Sequence, residues 1–253
     1  MNIFDLPGRI AIVTGGNRGI GLDIARGLAS AGATVVIANR GEATGQEAAE
    51  TLKKEGFNAT AIPTDITSLT AITRLVTKVI SEFGKIDILV NNAGAMVRKA
   101  AEDITEEDWD RVINTNLKGM FFCCQMVGKE MIKRKKGRII NISSVRAKKM
   151  ASNRSPYAIS KAGVSNLTRV LAYEWGKHNI TVNAIAPGTT ITDINRKHFQ
   201  EHPEELKEII KTIPRGREGY TSDYIGAAIF LASDASDFVT GQTLFADGGT
   251  TIC

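Results

Sequence analysis

Short apolar runs rich in β-branched residues alternate with longer stretches of helical period along almost the whole chain. The runs 9–14, 34–39, 59–64, 86–91, 138–143, 181–186 and 243–246 read as strands. Several are nearly continuously apolar, as strands covered on both faces must be. Between them, 21–30, 42–55, 69–83, 106–135, 156–177 and 223–232 carry helical spacing. Thr105-x-x-Asp108 opens the fourth helix as a capping box, and Pro156 suits the first turn of the fifth. Strand followed by helix, repeated in this way, predicts an α/β, doubly wound (Rossmann) parallel sheet of about seven strands with helices on both faces. No linker interrupts the alternation, so 1–253 reads as a single domain. Only 193–219 breaks the rhythm: it is polar, holds Pro203 and Pro214, and reads as a small helical lid over the edge of the sheet.

Composition narrows the function classes. With 43% apolar and 23% charged residues, the 253-residue chain is neither fibrous nor disordered. The longest apolar run, 225–232, is far too short to span a bilayer, so no membrane partner is expected. Segment 1–8 contains Asp5 and Pro7 and lacks the apolar stretch of a signal peptide. Of three cysteines, Cys123 and Cys124 are adjacent and Cys253 is terminal. That pattern builds no disulfide framework and suits a reducing cytoplasm. Cys123 and Cys124 read as helix packing, since no His stands at ligand spacing and no metal is expected. Net charge is +5, but the basic residues are dispersed and the one dense run, 133–136, reads as a solvated helix end. Nucleic acid is therefore not expected as a partner. His178, His198 and His202 read as surface residues, and Trp109 and Trp175 as packing anchors at helix ends.

Strand one runs into Thr14-Gly15-Gly16-Asn17-Arg18-Gly19-Ile20-Gly21, with a helix directly after it. Glycines at 15, 19 and 21 allow a sharp turn, a close approach of backbone to a pyrophosphate, and tight packing of helix on strand. The helix N-terminus then offers free N–H groups to the phosphates. Leu22 stands where a Walker loop would need Lys, so the spacing points to a dinucleotide. An acidic residue at the end of strand two would hold the 2′-hydroxyl of NAD. Here Asn39 and Arg40 stand instead, and Arg18 lies in the glycine turn. Two guanidiniums and no carboxylate predict a 2′-phosphate, hence NADP (NADPH).

At this point the chain resembles the short-chain dehydrogenase/reductase family, essentially end to end. The residues that carry the resemblance are Thr14-Gly-x-x-x-Gly-x-Gly21, Asn91-Asn-Ala-Gly94, Asn116, Ser143-Ser144, Tyr157-x-x-x-Lys161, Pro187-Gly188 and Asp247-Gly-Gly249. The resemblance implies a nicotinamide cofactor and hydride transfer between a ketone and a secondary alcohol. It implies a catalytic set of Asn116, Ser144, Tyr157 and Lys161, with Ser143 as the residual alternative to Ser144. Tyr157 and Lys161, four apart on one helix face, suit this role: an ammonium beside a phenol lowers a pKa otherwise near 10. Tyr157 would then give or take the substrate proton, and Ser144 would hydrogen-bond the carbonyl oxygen. Lys161 would also bond the nicotinamide ribose, and Asn116 would anchor a proton relay to it. Beside the glycine turn (Gly15, Asn17, Arg18, Gly19, Ile20, Gly21), the resemblance implies cofactor contacts from Asn39, Arg40, Asp65, Ile66, Asn92, Ala93, Gly94, Tyr157, Lys161, Pro187, Gly188, Thr190 and Thr192. Thr190 stands where a branched aliphatic is usual and would act through its backbone. Asn91 is expected to tie strands together.

For the substrate, Arg98, Arg146, Lys148, Lys149 and Arg154 are expected to frame the cleft mouth. A positive mouth favours an anionic carbonyl or alcohol substrate; the alternative is a merely solvated loop. The leading expectation is a carbonyl reductase acting on a keto acid, keto ester or 3-oxoacyl group. The alternative resembles gluconate 5-dehydrogenases and related sugar-acid oxidoreductases, through the arginine after Asn91-Asn-Ala-Gly94, the Glu174-Trp175 pair and the Ile213-Pro-x-Gly216 run. Resemblance to 3-oxoacyl-carrier-protein reductases is weakened by His178, where their carrier-docking arginine stands. A catalytically idle NADP-binding sensor is the remaining class. A homotetramer is expected, because helices 106–135 and 156–177 carry more apolar residues than one sheet face needs, and the tail 243–253 offers a second contact.

Overall fold

A computed structural model describes residues 2–252; Met1 and Cys253, and with them the ends of the expected domain and tail, lie outside the described residues. Seven strands form one sheet: β1 (Ile10–Thr14), β2 (Thr34–Asn39), β3 (Ala59–Pro63), β4 (Ile88–Asn91), β5 (Gly137–Ile142), β6 (Ile180–Pro187) and β7 (Thr243–Ala246). All pair in parallel in the order β3-β2-β1-β4-β5-β6-β7. The order reverses between β1 and β4, and Thr14 stands level with Asn91, which stands level with Asn141. Open α/β sheets bind ligands outside the carboxyl ends of strands at such a reversal.

Helices cover both faces, since each strand is apolar on both. On one side α1 (Gly19–Ser30), α2 (Glu42–Lys54) and α9 (Ile225–Ala232) bury Ile24, Leu28, Leu52 and Leu231 against Val13, Val35 and Ile37. On the other, α3 (Leu69–Phe83), α5 (Met120–Arg134) and α6 (Ser155–Trp175) bury Ile72, Val79, Cys123, Val127 and Val164 against Ile12, Val36 and Leu89. Each fully buried aliphatic chain contributes about 1.5–3 kcal/mol. Local signals set the helix ends. Ser68 caps α3 by accepting from Ala71 N at 3.3 Å, and Gly84 leaves it at φ 73°. The expected Thr105/Asp108 capping box opens α4 (Glu106–Ile113).

Two expected boundaries need correction. The helix expected over 106–135 is two helices, because Asn114–Gly119 widens into a π turn between α4 and α5. Gly119 permits it: a Cβ there would lie 2.4 Å from the carbonyl oxygen of Ile66. The helix expected over 156–177 ends at Trp175, with a tight turn at Gly176–His178 leading to Asn179 at φ 58°. Within 193–219, α7 (Arg196–Glu201) and α8 (Pro203–Lys211) form the helical insertion, closed at its base where Gly219 N donates to Thr189 O at 2.8 Å. No helix among the described residues is long and apolar enough to cross a membrane.

Candidate active site

The glycine turn is shaped by its neighbours. Gly15 has φ 63°, and a Cβ there would lie 3.0 Å from Ala93 Cα. At Gly21 a Cβ would lie 2.3 Å from Asn92 Nδ2. Asn92 accordingly ties the turn to β4, its amide donating to Thr14 O at 3.1 Å and Gly15 O at 3.0 Å. Thr14 Oγ1 returns the bond by accepting from Asn92 N at 3.0 Å and Ala93 N at 3.1 Å. At Gly19, by contrast, a Cβ would meet nothing closer than Thr192 at 3.7 Å. The space before Gly19 lies at a helix N-terminus, where free N–H groups suit a phosphate. Asn17 donates to Thr44 Oγ1 at 3.4 Å, and Ile20 lines the adjoining pocket. Arg40 is exposed beyond β2, and Arg18, exposed at the start of α1, lies 3.2 Å from Asp193 at the start of the lid. Asn39 turns inward, donating to Gly41 O at 2.7 Å and Thr44 Oγ1 at 3.1 Å. Asp65 caps its own turn through Thr67, and Ile66 is buried beneath the π turn.

One pocket along the carboxyl ends of β4, β5 and β6 gathers Asn92, Gly94, Ser144, Tyr157, Lys161, Pro187, Gly188, Thr190 and Thr192. Ser143 does not compete with Ser144: its hydroxyl is spent on Lys161 O at 3.0 Å and Ser165 Oγ at 2.9 Å. Ser144 stands two residues beyond β5 with Oγ facing Tyr157 and accepting from Arg146 N at 3.1 Å. Burial holds the Tyr157 phenol above its usual value; the Ser144 hydrogen bond and the charges of Arg146 and Arg154 pull the other way. The Lys161 ammonium stands 5.6 Å from the Tyr157 ring centroid and donates to Ile142 O at 2.7 Å. Burial pushes Lys161 itself down to about 8.

Asn116, at 0% exposure, accepts from Ala95 N at 2.7 Å and donates to Ala95 O at 2.9 Å and Ser160 Oγ at 3.0 Å. Ser160 in turn donates to Tyr157 O at 2.7 Å, so the π turn is bonded to the tyrosine helix through a serine the sequence did not single out. Asn116 and Lys161 flank Gly94, where a Cβ would lie 3.4 Å from Asn116 Oδ1 and 4.0 Å from Lys161 Nζ. Asn91 ties β4 to β5 through Asn141 at 3.0 Å, as its place at a strand end suggests. The Thr190 carbonyl accepts from Asn195 Nδ2 at 2.8 Å, and its hydroxyl bonds Tyr224.

The five cations expected at the mouth divide. Arg98, Arg146 and Arg154 line the pocket. Lys149 turns away to Thr250 O at 3.0 Å and Lys148 lies over Phe245, so neither frames it. Glu205 of α8 bridges Arg98 at 3.2 Å and Arg154 at 3.1 Å and bonds His198, which is therefore part of this network and not a bare surface residue. Burial alone would raise the Glu205 carboxyl, but hydrogen bonds from His198 and Arg98 hold it below its ordinary value. Arg98 Nε is buried without a hydrogen-bond partner. Cys123 and Cys124 are buried packing residues, and burial pushes the Cys123 thiol up to about 12. Trp175 packs on Gly128, while Trp109 is partly exposed.

A family model described as enoyl-(acyl carrier protein) reductase matches residues 15–251. Over 250 residues, 98% of each chain, this protein is 42% identical to the 2-dehydro-3-deoxy-D-gluconate 5-dehydrogenase of Dickeya dadantii. It is 39% identical over 252 residues to the gluconate 5-dehydrogenase of Gluconobacter oxydans, covering 99% of this chain and 98% of that one. A crystal structure of a gluconate 5-dehydrogenase from Burkholderia cenocepacia, in complex with NADP and tartrate, matches with a TM-score of 0.96 at 41% identity, covering 99% of this chain and 98% of that chain.

Proposed function

The chain belongs to the short-chain dehydrogenase/reductase family of oxidoreductases, and from that premise we propose that it interconverts a secondary hydroxyl and a ketone on a sugar acid, using NADP(H). The observation that carries this reading is the meeting of Ser144 and Tyr157 in a pocket whose wall holds Arg98, Arg146 and Arg154. Glu205 offsets part of the charge of Arg98 and Arg154, but the three guanidiniums leave an excess of positive charge beside the proton-transfer pair, which suits a substrate with both a carboxylate and a carbinol. Relatives named for gluconate and deoxygluconate oxidation support the sugar-acid alternative over the general carbonyl reductase first expected. The full set of Asn116, Ser144, Tyr157 and Lys161 argues for an enzyme over an idle sensor.

The nicotinamide, when bound, supplies or accepts the hydride. Lys161, Asn92, Gly94 and the 187–192 loop would hold that end, and the space at Gly19 the pyrophosphate. Ser144 holds the substrate oxygen. In reduction Tyr157 delivers a proton to that oxygen; in oxidation it takes the proton from the hydroxyl. Asn116 keeps its π turn and the tyrosine helix in register through Ser160.

The test is a matched pair. Oxidation of gluconate and of its neutral amide is followed by NADPH absorbance at low and high salt. Gluconate should exceed the amide by about tenfold or more in kcat/KM, the worth of a charge-assisted hydrogen bond, and part of that advantage should fade as salt screens the mouth. Equal efficiencies at both salts would remove the anionic substrate, and preferred reduction of an acetoacetyl thioester would replace it with the 3-oxoacyl reading.

Cofactor choice has its own check. Arg40→Ala should weaken NADPH binding about tenfold to a hundredfold and leave NADH binding nearly unchanged, since only the 2′-phosphate loses a partner. Fluorescence titration of both cofactors reads this, and equal losses for the two would sink the assignment. Self-association to a homotetramer belongs to the same proposal. Ile159, Val170 and Tyr173 leave an apolar strip on α6, with Tyr173 at 91% exposure, and Phe238, Leu244 and Ile252 are exposed towards the end of the chain. A monomer mass by light scattering at micromolar concentration would contradict it. A cytoplasmic setting is proposed on the buried, unpaired state of Cys123 and Cys124; labelling of intact and fractionated cells checks it.

A further inference from the structure

The helical insertion meets the pocket wall through two kinds of contact. Phe199 of α7 and Ile209 of α8 line the pocket and make the apolar one. Glu205 of α8 makes the charged one: its Oε1 accepts from Arg98 Nη1 at 3.2 Å and from Arg154 Nη2 at 3.1 Å. Glu201, Glu204 and Glu208, the other acids of the two helices, pair instead with lysines on their own helices. A single lid carboxylate is therefore laid across two guanidiniums that line the pocket.

The three side chains are not equally free to change partners. Arg154 is 9% exposed and Arg98 20%, whereas Glu205 is 39% exposed. A buried guanidinium stripped of its carboxylate is strongly destabilising. A half-exposed carboxylate that lets go is rehydrated at little cost. Any exchange of partners at this place moves Glu205 and leaves the arginines where they are. The bridge is also imperfectly matched. His198 Nε2 lies 2.7 Å from Arg98 Nη1 and also lies against Glu205 Oε2. One ring nitrogen cannot accept from a guanidinium and donate to a carboxylate at once, so one of these contacts is unpaired in every protonation state. Arg98 Nε, buried, has no partner while Glu205 holds Nη1.

We propose that Glu205 is a specificity-determining residue: an internal carboxylate that occupies Arg98 and Arg154 in the empty pocket and yields them to the acid group of an anionic substrate. The inference rests on the sugar-acid reading, since that acid group is the competitor. A neutral analogue cannot replace the two charged bonds and gains nothing by displacing Glu205. An acid can replace them, but the exchange takes away part of its affinity. Between turnovers no buried guanidinium is left bare.

The experiment measures kcat/KM for gluconate and for its neutral amide in the wild type, in Glu205→Gln and in Glu204→Gln, at low and high salt. The ratio of the two compounds is read, because a loosened insertion would affect both alike. Glutamine keeps the shape of Glu205 and removes its charge. The ratio should rise about tenfold in Glu205→Gln, the scale of one charge-assisted hydrogen bond. Most of that rise should remain at high salt, where the influence of a charge that is merely nearby is screened. Glu204, one residue away and paired with Lys207 at 2.9 Å, should leave the ratio unchanged when replaced by Gln. A ratio unchanged or lowered in Glu205→Gln overturns the proposal, as does a rise that Glu204→Gln reproduces or that high salt abolishes. If the wild type still prefers gluconate, these outcomes leave the sugar-acid reading standing. Gluconate and amide equal in all three proteins would defeat that reading and the proposal with it. Equality in the wild type that becomes a preference for gluconate in Glu205→Gln supports the proposal, with Glu205 then masking the arginines fully.

Discussion

Tyr157→Phe is expected to lower turnover about 10²–10⁴-fold, the usual contribution of a positioned general acid or base, while NADPH affinity stays within about twofold by the same reasoning. The substitution removes one oxygen from a side chain whose ring packing is unchanged. What is lost is the proton donor that faces Ser144 at the carboxyl end of β5. The Asn116–Ser160–Tyr157 connection runs through the Tyr157 carbonyl, not its phenol, so it survives the change. Stopped-flow turnover beside a fluorescence titration of NADPH separates the two effects. Near-normal turnover in the variant would mean that another group moves the proton. A parallel loss of cofactor binding would mean that the phenol is a binding residue first.

Lys161→Met is expected to stabilise the cofactor-free protein while depressing its activity. Lys161 is 3% exposed, and burial pushes its ammonium from an ordinary 10.5 down to about 8. At pH 7 the folded protein carries that charge at a cost of about 3 kcal/mol, taking 1.36 kcal/mol per pH unit. Methionine removes the cost but leaves Ile142 O without its donor, which returns about 1–3 kcal/mol. The net expectation is a gain of about 0–2 kcal/mol, up to several degrees in Tm for a chain of this size. The sign of its pH dependence follows from the two values. Between about 8 and 10.5 the unfolded state holds the proton more tightly than the folded one. The wild type therefore regains stability as pH rises through that window, and the advantage of the variant shrinks. Thermal melts of both proteins at pH 7 and pH 10 check this. A difference of constant size, or a wild type more stable at pH 7, would show that the buried ammonium is not strained in the fold.

The strands, the glycine turn and the Tyr157/Lys161 helix were legible because each depends on neighbours close in sequence. Continuous apolar runs mark strands buried on two faces, and spacing of four marks one helix face. The π turn at Asn114–Gly119 left only a weak mark, the poor helix former Asn116 inside the expected helix. Its widening is held by Asn116 reaching Ala95 and Ser160 and by the contact of Gly119 with Ile66, all of them distant in the chain. The cations at 98, 146, 148, 149 and 154 looked alike for the same reason. Phe245 and Thr250 draw Lys148 and Lys149 away, and Glu205 gathers Arg98 and Arg154.

The sequence by itself determined the architecture and the glycine turn, since periodicity and glycine placement are local properties of the chain; between Ser143 and Ser144 the structure was needed, because the bonds that engage the Ser143 hydroxyl come from α6. Only the tertiary structure decided what each charge in the pocket does. Lys161 and Tyr157 share a helix face by spacing, yet the ammonium also donates to a carbonyl of β5, and Arg146 and Arg154 join the same pocket from a loop and a helix start. Electrostatic influence depends on distance, burial and competing partners. None of these is fixed until strands far apart in the chain lie side by side.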